Sequence, residues 1–138
     1  MRKPIVILVG CIMLCGLLVA AMVPAPESAP VNNVITITGQ PLEGVDQPFF
    51  VLSRGNSDTV RWHNGTSNKC TLTFSGGPPF PRRVIIPAGG DSAVFSAADA
   101  PGPPAGWPTD RVYKVYRYSV DIEGGALFDE SPGGGVKP

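Results

Sequence analysis

Beyond the first 23 residues the chain holds one histidine, His63, and one cysteine, Cys70. An imidazole and a thiolate are half of a soft-metal site, and a thiol in an accessible, electropositive setting is a redox nucleophile. A trigonal copper site needs a thiolate, two imidazoles and a weak axial ligand. The three methionines are Met1, Met13 and Met22, and no Cys, His or Met follows Cys70. One chain therefore lacks the donors for that site. A hydrolytic triad fares no better, because the sole histidine has no serine placed beside it by an elbow motif. Asp129-Glu130 are adjacent carboxylates, which point apart on an extended chain. Gly76-Gly77, Gly89-Gly90 and Gly133 to Gly135 lack the lysine and following helix of a phosphate loop. The expectation is a protein that is not an enzyme, with no catalytic residue, cofactor or metal of its own.

The pattern around the two residues separates them. Val60 and Trp62 alternate with Thr59, Arg61 and His63, which puts His63 on the polar face of a strand. Cys70 shares a face with Leu72 and Phe74, so it reads as a small buried hydrophobe. Lys69 beside it is the one feature that would favour a reactive thiol. Asn64-Gly65-Thr66 between the strands matches a glycosylation acceptor, relevant only in a eukaryotic secretory path, and reads rather as a tight turn between the two strands.

The rest of the chain has the same period of two. Ile35 and Ile37 alternate with Val34, Thr36 and Thr38; short apolar runs follow at Phe49 to Leu52, Val84 to Ile86 and Ala93 to Phe95. The longest strand places Val112, Tyr116, Tyr118, Val120 and Ile122 on one face. Ala126 to Phe128 adds a short one. With Gly at 17 and Pro at 16 residues, the composition favours strands joined by turns. These signals predict an all-β Greek-key sandwich of six to eight strands over residues 31–130. Residues 97–110 form a long loop with Pro101, Pro103, Pro104 and Pro108 around Trp107. Residues 131–138, with three consecutive glycines, read as a flexible tail.

Val60 to Phe74 resembles the first half of a cupredoxin, the plastocyanin and azurin fold. In that family a strand ending in Trp and Asn leads through a polar turn to a histidine ligand. Here Trp62 and Asn64 are present, and Cys70 occupies the position of the lost copper ligand. Ile86 to Phe95 is similar to the family's Pro/Gly turn and following strand. Tyr116-Arg117-Tyr118 looks like the penultimate strand, which in the family precedes a loop bearing a cysteine, a second histidine and usually a methionine. The resemblance implies a cupredoxin-like sandwich without its copper ligands.

The first residues imply an address. Arg2 and Lys3 precede an uncharged apolar run from Ile5 to Val23. Residues 1–23 read either as a secretory signal, with small residues at Val19 to Ala21, or as an uncleaved anchor of about 20 residues. Leu8-Val9-Gly10-Cys11 also matches a bacterial lipobox. Residues 24–30 are a Pro/Ala linker. Basic residues before the apolar run hold that end inside, so the domain is expected to be periplasmic or extracellular, free or anchored through residues 5–23. Without Arg2 and Lys3, nine basic residues face eleven acidic ones, and no basic cluster suggests nucleic acid. Two functions remain open. One is a non-catalytic binding or structural module of the cell envelope, taking an envelope protein or small ligand, with Trp107, Pro103 and Pro104 as the candidate contact or as a cap on the sandwich. The other is a redox or metal-handling accessory protein that uses Cys70 or a ligand set shared with a partner.

Overall fold

A computed structural model describes residues 28–39, 44–125, 127–128 and 132–138. The expectations for the leader, most of the linker and the Asp129-Glu130 pair lie outside the described residues.

The strands are β1 (Asn32–Ile37), β2 (Phe49–Ser53), β3 (Thr59–Asn64), β4 (Cys70–Ser75), β5 (Arg83–Ile86), β6 (Phe95–Ser96), β7 (Lys114–Ile122), β8 (Leu127–Phe128) and β9 (Gly133–Lys137). The only helical element among the described residues is a short 3-10 turn at Ala97–Asp99, capped by the Ser96 side chain. Two sheets face each other. The smaller has the order β1-β3-β6, and the larger β2-β9-β7-β4-β5 with β8 also on β7. After the β4–β5 hairpin, β6 returns to lie beside β3, which is a Greek-key return.

The alternation read from the sequence matches the faces. Ile35, Ile37, Val60, Trp62, Leu72, Tyr118 and Val120 are buried, while their neighbours are wholly or partly exposed. Trp62 is the centre. Phe50, Phe74, Phe80, Phe95 and Tyr118 surround its ring edge-on, with centroids 5.2–6.0 Å away. Phe74 and Phe80 stack at 4.9 Å, and Phe80 meets Tyr116 edge-on at 5.0 Å. Edge-to-face contacts of this kind add about 0.5–1.5 kcal/mol each beyond simple burial.

The expected flexible tail at 131–138 is corrected. Gly133–Lys137 is an interior strand, parallel to β2 and antiparallel to β7. Its glycines are there for space. A Cβ on Gly134 would overlap the Phe50 ring, one on Gly133 would come within 2.6 Å of the Tyr116 carbonyl oxygen, and one on Gly135 within 2.8 Å of Val112. The fold thus has nine strands among the described residues, against the six to eight expected. The C-terminal end of the described chain is tied down as well: the Ser53 hydroxyl donates to the Pro138 carbonyl, and the Arg54 amide to that of Lys137.

Gly134→Ala should therefore cost about 1–3 kcal/mol by overpacking. Gly102→Ala, where an added methyl meets open space, should be neutral or slightly stabilising. Urea unfolding of the two variants checks this pair; equal stabilities would refute the steric account.

Candidate functional site

The two residues with metal or redox chemistry do not converge. Cys70 starts β4 in the larger sheet, paired with Ile86 and Ile122, and is fully buried. His63 lies on β3 in the smaller sheet and faces outward, about two-fifths exposed. Its Nδ1 is 2.8 Å from the Asp91 carboxylate, whose other oxygen accepts from Arg61 at 2.9 Å. The geometry is a surface ion cluster that pins the 87–92 turn to β3. Exposed pairs of this kind are worth little.

The surroundings of Cys70 disfavour its thiolate. Burial, and secondarily the Asp121 carboxylate, push the thiol up from 9.0 to about 11. Lys69, the feature that would have activated it, turns away into an ion pair with Glu123 at 2.8 Å.

The side chain that organises this end is Asn64, which the sequence placed only in a turn. Asn64 is fully buried at the last position of β3. Its Nδ2 donates to the carbonyls of Asn68, Ile86 and Pro87 at 2.8–3.2 Å. Its Oδ1 accepts from the Thr66 amide and hydroxyl at 3.0 and 2.7 Å. One amide thereby joins β3, the corner leading to β4 and the end of β5. Asn64 is spent inside the fold, which excludes the glycosylation reading and leaves the turn. The signal was available: Val60, Trp62 and Asn64 share the inward parity, so a polar residue there had to find internal partners.

Among the described residues no group of three or more His, Cys, Asp or Glu side chains is arranged to hold a metal ion. The inward position holds a protonated thiol between isoleucines, and the lone imidazole faces solvent and Asp91. Only four residues separate β7 from β8, and the Gly125 amide closes a turn on the Ile122 carbonyl. The resemblance would put a ligand-bearing loop at that point.

The other candidate is the 100–113 loop at the opposite end of the sandwich. Trp107 is 39% exposed, and its Nε1 donates to the Arg111 carbonyl at 3.1 Å. Pro104 is exposed and Pro103 half-buried. The ring does not close the end of the sandwich as a cap would. The loop is fixed at its base, where the Arg54 Nε donates to the Ala100 carbonyl and the Tyr113 hydroxyl to that of Pro101. A shallow depression of about 300 Å³ lies elsewhere, on the outer face of the smaller sheet, lined by Asn32, Val34, Thr59, Arg61 and Val94 among others. Among the described residues no helix is long and apolar enough to cross a membrane.

No protein-family model and no curated protein matches the sequence. Among solved structures, the chain is similar to a point variant of amicyanin in the Cu(I) form, at 14% identity over 80% of this chain and 85% of that one, with a TM-score of 0.42. It is also similar to the McoA multicopper oxidase from the hyperthermophile Aquifex aeolicus, at 10% identity over 83% of this chain and 31% of that one, with a TM-score of 0.36. At these scores neither likeness carries weight, and the architecture rests on the chain's own strand order.

Three outcomes follow from the Cys70 end. Folded protein treated with a thiol reagent near pH 8 should leave Cys70 unmodified in peptide maps while unfolded protein is labelled fully. Because the folded-state pKa is raised, the thiol has no effect on stability well below pH 9 and destabilises as pH rises from 9 towards about 11. Cys70→Ala should remove that part of the high-pH loss while costing about 1 kcal/mol at neutral pH. An unchanged pH profile would contradict the assignment. Asn64→Asp should destabilise by at least about 3 kcal/mol at neutral pH, since a carboxylate would face three carbonyls. The deficit should shrink as the pH falls and the carboxyl protonates; thermal unfolding at pH 4 and 7 reads the difference.

Proposed function

We propose that this is an exported, copper-free cupredoxin-like domain, free in the periplasm or extracellular space or held at the membrane by residues 5–23, that acts as a non-catalytic binding or structural module of the cell envelope. The observation that carries the reading is the contrast between the two ends of the sandwich. At the Cys70 end, Asn64 and the apolar strand ends fill the place where the resemblance would put chemistry. At the other end an exposed tryptophan stands on a loop anchored at its base, a usual location for binding on a rigid scaffold.

The resemblance in Val60 to Phe74 and the Greek-key return of β6 to β3 support the cupredoxin-like part. The basic residues ahead of an uncharged run of 19 residues support export. An envelope protein or a small ligand is the partner. The second reading, a redox or metal-handling accessory protein, requires Cys70 to become accessible, and the buried, protonated thiol speaks against it.

A reporter enzyme active only outside the cytoplasm, fused after Pro138, should be active in intact cells. An inactive but well-expressed fusion would overturn export. Fractionation of the same cells then separates a cleaved form, found soluble, from an anchored one, found with the membranes.

A further inference from the structure

We propose that the domain rests on an anionic bilayer surface through the β2–β9–β7 part of the larger sheet's outer face, with the Trp107 loop at its rim. The proposal rests on the membrane-anchored form of the reading above.

The face is apolar where a sandwich is normally polar. Phe49 and Val51 on β2 and Val115 on β7 point outward and are 51%, 43% and 54% exposed. The register sets Val51 and Val115 on either side of Gly135, and Phe49 beside Gly133. The three side chains stand on the strands flanking the glycine strand, whose Gly133 and Gly135 are buried, and Val112 lies over Gly135. On this part of the three strands the charge is of one sign, while the Trp107 loop carries Asp110. β2, β9 and β7 as far as Ser119 contain no acidic residue. Arg117 and Lys137 share the outward parity of the apolar residues, and Arg54 follows β2. Apolar area combined with basic charge is the composition that binds an anionic lipid surface, and an amphipathic tryptophan suits its interface.

The chain also arrives at this end. The Ser28 hydroxyl accepts from Asn56 at 2.6 Å, and the Val31 amide donates to Asp58, both in the β2–β3 turn. Four residues lie between Val23, the end of the apolar run, and Ser28, and the five steps reach at most about 17 Å. From Ser53 at this end, Phe49 is about 13 Å away along β2. A bilayer that holds residues 5–23 is therefore within reach of the whole face. A second copy suits it less, because an isologous contact sets the patch against itself and so brings one set of basic residues up to the other.

The test uses the full chain in phosphatidylcholine vesicles, with and without phosphatidylglycerol, carrying p-benzoylphenylalanine in place of Val51, Val115 or Ile85. Ile85 is a control on the far edge strand and equally exposed, at 55%. After irradiation, lipid adducts at 51 and 115 should exceed those at 85 by on the order of tenfold in anionic vesicles. Lys137→Glu combined with Arg111→Glu, the exposed basic residue of the Trp107 loop, should reduce them to the level of the neutral vesicles. Chain that floats with the vesicles but gives no excess at 51 and 115 would overturn the docking and leave the anchor standing. Protein–protein adducts at Val51 would overturn it in favour of a second copy. Chain that does not float with the vesicles would remove anchor and docking together.

Discussion

The Phe50 ring sits where a side chain on Gly134 would be, and the rest of the molecule is arranged around that overlap. Phe50 can reach Trp62 only because β9 lacks a Cβ beneath it. Trp62 in turn gathers aromatic residues from both sheets, from Phe74 and Tyr118 on the larger to Phe95 on the smaller. Without disulfides among the described residues, the two sheets are held by this cluster and by the aliphatic layer around it. The glycine strand also joins β2 to β7. Without it β2 would have no partner in the larger sheet.

From this core the sandwich runs to two unlike ends. At one, Asn64 uses its full hydrogen-bonding capacity on backbone groups, and Cys70 is sealed between isoleucines. Every polar group of that amide has a partner, so the corner is rigid and has nothing left to offer a ligand. At the other, Asp58 receives the amides of Val31 and Ser53, and the start of the described chain, its last residue and the base of the Trp107 loop meet. An extended β3 keeps the two ends about 20 Å apart. The functional proposals follow from that separation: the closed end is structural, and the end where the chain arrives is the one free to touch something.

Much of the fold was legible in the sequence because burial follows a period of two. Val60, Trp62, Leu72, Tyr118 and Val120 are inside for the reason their spacing gave. The failures share a cause. Gly133 to Gly135 read as a loose tail because the reason for the glycines, the Phe50 ring, lies more than eighty residues away in the chain. Asn64 read as a turn residue because a turn and a buried amide hub have the same local signature, and only the parity with Trp62 separates them. Trp107 was expected either to cap the sandwich or to meet a partner. Its 39% exposure argues against a cap, since its indole nitrogen is satisfied within its own loop. Side-chain chemistry at a distance, rather than local propensity, is what the one-dimensional reading could not supply.

The central claim is that a cupredoxin-like frame is here closed at its metal end. Titration of the full chain with Cu(II), followed by visible absorbance and compared with Cys70→Ala, tests it most directly. The expected result is no intense thiolate-to-copper band at one equivalent that depends on Cys70. A strong band in the natural sequence that disappears in Cys70→Ala would contradict the account, because it would require the buried thiol to open, deprotonate and find ligands that this end of the sandwich does not present.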